Sequence, residues 1–374
     1  MKQLIGLFAL LFLFIGCKKE TEPNWTLQKS RLKHSFIETQ KVVLSRVVSA
    51  RDMYQDDAKF FNNLPAIFAL EDCRVTWKAF YNEFLLLSPY RYYSGGLDAG
   101  FEENQNYLDL SGINYSYIDY TVNQPNAGII KDSINYPEIN QVGMLAWNQE
   151  GGEKNIALGF HVLEFLLWGE DLSATGPGMR TNNDYSKINT ENERRMKYFL
   201  DASKYLNKMI GDISLDAKYE NNLLAMSEDE ALNEILSGYM KFLKDDLIAS
   251  TLLKPLESQD PKDELSDFSD NTLSNIKSKI NGLLYALDGS ELFLGSSESW
   301  YFMIDFISDV DDESAQEIMA SLTKASGLIS QINVDFDQAI QNAFSRERLY
   351  EVVSELKNVY SILEKIKLEY SFGG

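Results

Sequence analysis

Two polar side chains, His161 and Glu164, interrupt a run from Ile156 to Trp168 that is otherwise apolar or glycine. Spaced by three, they fall on one face of a helix. A helix apolar all round belongs in a core. There an unpartnered carboxylate and imidazole would cost several kcal/mol. The two must be satisfied by each other, by a distant polar residue, by water or by a ligand. One imidazole nitrogen with nearby carboxylates would also suit a hard metal ion, and either group would serve as a base. Gly159, read as part of the same helix, costs ~1 kcal/mol relative to Ala in such a position. It signals close approach of a backbone or a ligand. The plainest structural reading is a buried His–Glu pair that satisfies itself.

The rest of the chain narrows this chemistry. It has 374 residues but only two histidines and two cysteines. His-Glu-x-x-His, Gly-x-Ser-x-Gly and a phosphate loop are all missing. The Gly/Pro loop Ala174–Gly178 lacks the Lys-Ser/Thr ending that a phosphate loop needs. A serine hydrolase would have to use His161 as its base, with a serine such as Ser269 brought from far along the chain. One histidine with several carboxylates favours iron, manganese or calcium-like ions over copper or zinc held by soft ligands. The net charge of −21, with no basic stripe, argues against nucleic acid as a partner. His34 lies among Arg31, Lys33 and Ser35 and reads as solvent-facing.

The elements that must position His161 and Glu164 are helical. Apolar residues recur at helical spacing from Trp25 to about Met53, Leu64 to Leu87, Glu191 to Ile213 and Leu273 to Leu287. The same holds for about Asp312 to Ile332, Phe336 to Phe344 and Arg346 to Tyr370. Ser227-Glu228-Asp229-Glu230 is a capping box that starts another helix, and Ser269 or Asp270 is placed to cap the helix of Leu273. Between Pro89 and Gln149 the periodicity fails in a tyrosine-rich segment, with Tyr115–Ile118 as a brief extended piece. Its aromatic content argues against disorder and for packing beside the central helix. The class is all-α, in two helical bundles, spanning 25–215 and 216–374.

The N-terminus reads as an export signal: Lys2, an apolar run Leu4–Ile15, then Gly16-Cys17 and polar residues. The pattern is similar to a bacterial lipoprotein site, with residues 1–17 as signal, Cys17 as the lipidated residue and 18–24 as a tether. Cys73 would then stand alone, so no disulfide framework is expected; it reads as a small buried apolar residue.

Gly159-x-His161-x-x-Glu164, running into Phe165–Leu172 and Gly176-Pro177-Gly178-x-Arg180, resembles the imelysin family. That family is also called M75 peptidase and includes iron-regulated protein A and insulin-cleaving membrane protease. Asp263-Glu264 through Phe268-Ser269-Asp270-Asn271-Thr272 is similar to a second family segment, and Arg74-x-x-Trp77 to an early one. Two departures stand out: Leu265 and Leu273 occur where relatives often carry His, and Asp245–Ser250 replaces a Gly-Glu-Leu-Ala-Gly-Glu-Arg-like stretch.

The resemblance implies an all-helical, two-bundle protein tethered in the bacterial cell envelope and associated with iron. The expected role is non-catalytic binding of a metal ion, iron favoured, or of an iron complex, linked to iron uptake. The mature part is expected in the periplasm or on the surface, anchored to the membrane (the outer one) through Cys17. A peptidase of the M75 type and a structural interaction module are the alternatives. The site is expected to join His161 and Glu164 to Glu264 and Asp270 as metal ligands. Arg74 is expected as an orienting partner, with Gly159, Trp77, Ser269 and Asn271 around them.

Overall fold

In the computed structural model, residues 24–92, 108–215 and 217–370 are described, and among them every regular element is helical. The helices are α1 (Trp25–Asn63), α2 (Ile67–Leu85), α3 (Gln141–Trp147), α4 (Phe160–Trp168) and α5 (Thr190–Leu215). Then come α6 (Lys218–Ala225), α7 (Glu228–Lys241), α8 (Lys254–Ser258), α9 (Thr272–Leu287) and α10 (Met303–Val310). The chain closes with α11 (Asp312–Ser330), α12 (Phe336–Gln341) and α13 (Ala343–Tyr370). A π-helical stretch, Phe242–Leu253, joins α7 to α8. None of the described helices is long and apolar enough to cross a membrane. The signal, tether and Cys17 lie outside the described residues, apart from Asn24 at the start of α1.

The spine of the molecule is α1, a helix of 39 residues. Its first turns face the second half of the chain: Trp25 packs edge-on against Phe306, and Lys29 pairs with Asp229 at 2.6 Å. Its later turns face α5, where Tyr54 bonds the Ser203 hydroxyl at 3.1 Å and Gln55 the Ser203 carbonyl at 2.8 Å. One helix therefore packs against both halves. The start of α7 carries the expected capping box between Ser227 and Glu230.

α2 buries Leu70, Cys73, Arg74, Trp77, Tyr81 and Phe84 on one stripe, the spacing of a core-facing helix. That stripe meets α4 through Phe160, whose ring lies 4.7–4.9 Å from those of Phe80, Tyr81 and Phe84. The end of α2 also touches α9 closely: a Cβ on Gly282 would lie 2.5 Å from the Leu86 carbonyl oxygen. Here glycine is what lets the two halves meet.

The sequence pattern and the structure part at three local points. α4 begins at Phe160, so Gly159 is its N-cap residue, with φ +118°; side chains other than glycine rarely adopt that conformation. Tyr115–Tyr117 is a turn of 3₁₀ helix rather than an extended piece. Asn271, not Ser269 or Asp270, occupies the N-cap position of α9. The Ser269 hydroxyl has a stronger acceptor elsewhere. His34 is exposed, as its neighbours suggest, and lies parallel to the Trp300 ring at 5.6 Å.

Candidate functional site

All nine residues of α4 are buried, so His161 and Glu164 need partners. The closest is each other: His161 Nδ1 and Glu164 Oε2 are 2.7 Å apart. On its far side, His161 Nε2 lies 3.1 Å from the Tyr81 hydroxyl and 3.6 Å from Asp109 Oδ1. Tyr81 donates to Asp109 Oδ1 at 2.5 Å, and Arg91 pairs with Asp109 Oδ2 at 3.1 Å. Asp109 is delivered by the tyrosine-rich segment, whose Leu108 carbonyl accepts the Phe160 amide at 2.9 Å. Tyr81 follows Trp77 by four on the buried face of α2. Each ring nitrogen thus faces a carboxylate. Burial works against a charged imidazole, but Asp109 and Glu164 outweigh it and push His161 up to about 9. Burial would raise Asp109, yet His161, Arg91 and Lys279 hold it below the usual carboxylate range.

The second oxygen of Glu164 is taken by the other half of the chain. Glu164 Oε1 accepts from the Ser269 amide at 3.1 Å and from the Ser269 hydroxyl at 2.6 Å. The sequence therefore does bring Ser269 to this centre, but onto the carboxylate and not onto His161. With Ser269 fully buried and its hydroxyl donated to Glu164, no serine–histidine dyad forms. Glu164 has both oxygens engaged and no exposed surface.

Around this centre the remaining expected residues take distinct places. Arg74 sits at the far end of α4, donating to the Leu167 carbonyl at 2.8 and 3.1 Å and to the Arg180 carbonyl at 2.6 Å. A cation at a helix C-terminus meets the negative end of its dipole. Arg74 therefore orients α4 without touching His161. Trp77 is packed between Tyr81, Phe160 and Trp168. Asn271 donates to Asn82 at 3.1 Å. Arg180, from the Gly-Pro-Gly block, pairs with the buried Asp119 at 2.7 Å, as does Arg195 at 2.6 Å. That triad is an internal ion pair.

His161, Glu164 and Glu264 line one cleft of about 800 Å³, together with Asp267 and Phe268. Glu264 is buried; burial and then a hydrogen bond shared with Asp337 raise it well above the usual carboxylate range. Asp270 is placed differently, in a group with Asp171 and Asp337. Burial and neighbouring carboxylates push Asp267 up to about 8, Asp270 to about 7 and Asp171 to about 6. Lys78 is the one amine bonded to the Ser269 carbonyl, at 2.6 Å.

Tyr81, Asp109, Asp171 and Asp337 were not singled out from sequence. Tyr81 carried a usable signal in its i+4 spacing from Trp77 on an apolar stripe. Asp109 lies in the aperiodic segment, and nothing local marks it.

A family model described as Imelysin (Peptidase_M75) matches residues 46–362, most of the chain. The chain belongs to the imelysin family. Two solved structures share its fold. One is described as an iron-regulated protein A precursor from Parabacteroides distasonis ATCC 8503. It aligns with a TM-score of 0.71 at 14% identity, covering 93% of this chain and 96% of the other. The second, an imelysin-like protein from Psychrobacter arcticum 273-4, aligns at 0.59 and 14% identity, covering 94% and 96%. None of the curated proteins compared with this imelysin matches it. At such identity the two structures show a common fold, and what the site does must come from its own residues.

The residue types of the His161 centre suit a hard metal ion once the protons that now link them leave. Nε2 of His161, the Tyr81 hydroxyl and Asp109 Oδ1 lie 2.5–3.6 Å from one another. That is one nitrogen and two oxygens, a donor set suited to iron or manganese. Glu164 holds the ring from the opposite nitrogen, as second-sphere carboxylates do for ligating histidines.

Proposed function

We propose that this imelysin is a non-catalytic binding protein for a metal ion or small iron complex, taken up in the cleft that His161, Glu164 and Glu264 line. One observation carries the reading. The single histidine of the core sits between two carboxylates on a cleft wall, while Glu164, the carboxylate that takes the Ser269 hydroxyl, is buried. His161 Nε2, Asp109 and Tyr81 would hold the ion, and Glu164 would fix the ring. The bound metal would supply charge for an anionic chelate to be recognised. The naming of one structural neighbour for iron regulation supports iron as the first candidate. Gly16-Cys17 after a short apolar run supports a lipid anchor and a place in the cell envelope.

The protein purified from iron-supplied cells is expected to carry iron that His161→Gln loses with its helicity intact. Incubation with unstructured peptides is expected to leave them uncut. Proteolysis that disappears in His161→Gln would replace binding with the peptidase reading.

A further inference from the structure

A second group of carboxylates stands apart from His161. Asp171 lies in the loop after α4, Asp270 just before α9 and Asp337 in the first turn of α12. Each brings a carboxylate oxygen within 4.8 Å of the other two. Like charges so close disfavour ionisation unless something positive joins them. Among the described residues no amine or guanidinium pairs with them: both oxygens of Asp270 and Oδ1 of Asp337 are buried, with no N–H or hydroxyl donated to them. Lys78, the nearby amine, is bonded to the Ser269 carbonyl and lies over the Trp168 ring.

Glu264 extends the group through Asp337. It is 1% exposed, no amine or guanidinium pairs with it among the described residues, and its carboxyl group shares a hydrogen bond with that of Asp337. Asp337 is itself only 4% exposed. Buried carboxylates without donors are costly, and they are brought here from three distant parts of the chain. Folding them together makes physical sense if something cationic occupies the space between them.

We propose that Asp171, Asp270 and Asp337, backed by Glu264, bind a hard divalent cation of the calcium type, separate from any ion at His161. The donors are all oxygen, which excludes soft metals as the preferred occupant. Their spacing, up to 4.8 Å, equals the span of two calcium–oxygen bonds of about 2.3–2.6 Å. A cleft of about 690 Å³, lined by Asp171, Asp267 and Asp337, borders the group. It gives the ion a path and leaves room for the waters that complete a calcium shell. The ion would staple the loop after α4 to the segments leading into α9 and α12, and so fix the floor of the His161 cleft.

Calorimetric titration and thermal melting of the chelator-treated full chain with calcium chloride test this directly. Calcium is expected to raise the melting temperature of the wild type. Asp171→Asn and Asp337→Asn are each expected to weaken calcium binding by about tenfold or more, since charge count tunes such sites. Asp171 is half-buried and, among the described residues, accepts from the Ser173 amide at 2.8 Å, so its variant should melt normally in chelator and serve as the folding control. His161→Gln should leave the calcium response unchanged, which separates this site from the iron-binding reading. The proposal is overturned if neither calcium, manganese nor magnesium at millimolar concentration gives heat or a melting shift. It is equally overturned if the response survives in the Asp171→Asn/Asp337→Asn double variant or vanishes in His161→Gln. An ion-indifferent Asp337→Asn protein that melts higher than the wild type would assign the group to proton-sharing carboxylic acids instead.

Discussion

Glu164 hydrogen-bonds α4 to the second half of the chain, beside the Phe165–Phe268 ring contact, so the Glu164–Ser269 contact offers the sharpest energetic test. Its hydroxyl arm, at 2.6 Å, is a charged hydrogen bond inside the protein. Such bonds contribute about 1.5–3 kcal/mol. Ser269→Ala removes that arm but keeps the amide donor at 3.1 Å, and is expected to cost about 1.5–3 kcal/mol. Glu164→Ala strands the Ser269 amide, the Ser269 hydroxyl and His161 Nδ1 together. Its expected cost is about 3–5 kcal/mol, as for a buried pair broken from one side. In the double variant the hydroxyl is no longer orphaned. The two costs should then fall short of additivity by about 1.5–3 kcal/mol, within the range of coupled neighbours. Denaturant unfolding of the four proteins, compared at equal slope, supplies the cycle. Additivity to within about 0.5 kcal/mol would refute the coupling and with it the role of Glu164 as the tie between halves.

Three further outcomes are expected. Burial would raise the Asp119 carboxyl, but Arg180 and Arg195 outweigh it and hold it below its ordinary value; its stabilisation is therefore present above the unfolded pKa of about 3.9 and lost as pH falls through the folded value. Asp119→Asn should cost about 3–5 kcal/mol at neutral pH and flatten the acid limb of the stability–pH curve, whereas an unchanged acid limb would show that the triad does not contribute. Gly159→Ala, at φ +118°, should cost about 1–3 kcal/mol of backbone strain, and a neutral effect on the denaturation midpoint would contradict the positive-φ cap. Cys17→Ser should abolish acyl labelling and membrane fractionation of the full chain; retention with membranes would place the anchor elsewhere.

How much of this was legible beforehand depends on the range of the interaction. The helices around Trp25, Leu273, Asp312 and Tyr370 announce themselves because amphipathic spacing is a local property. The buried, all-apolar character of α4 is local too, and it made His161 and Glu164 conspicuous. The boundary at Gly159 was less readable, since a positive φ leaves no mark in the pattern of apolar residues. Partner choice is set by tertiary packing. Ser269 looked like a helix cap, yet its hydroxyl is turned to the buried Glu164 carboxylate, a stronger acceptor than any backbone group can offer. Asp109 was invisible for the same reason: it comes from an aperiodic segment and gains its role only once Leu108 is pinned to the start of α4. Glu264 and Asp270, six residues apart, look like members of one cluster; in the structure Glu264 lines the His161 cleft while Asp270 turns to Asp171 and Asp337.

The most direct measurement is a calorimetric titration of the purified protein with iron(III) citrate, run beside His161→Gln and Asp337→Asn. If the cleft at His161 binds iron or its complex, the wild type and Asp337→Asn should bind with a single saturable isotherm. His161→Gln, with unchanged circular dichroism, should bind at least about tenfold more weakly, as expected when a ligating or ligand-orienting group is lost. A wild type that takes up no iron, or a His161→Gln protein that binds it equally well, would contradict the binding role assigned to this cleft.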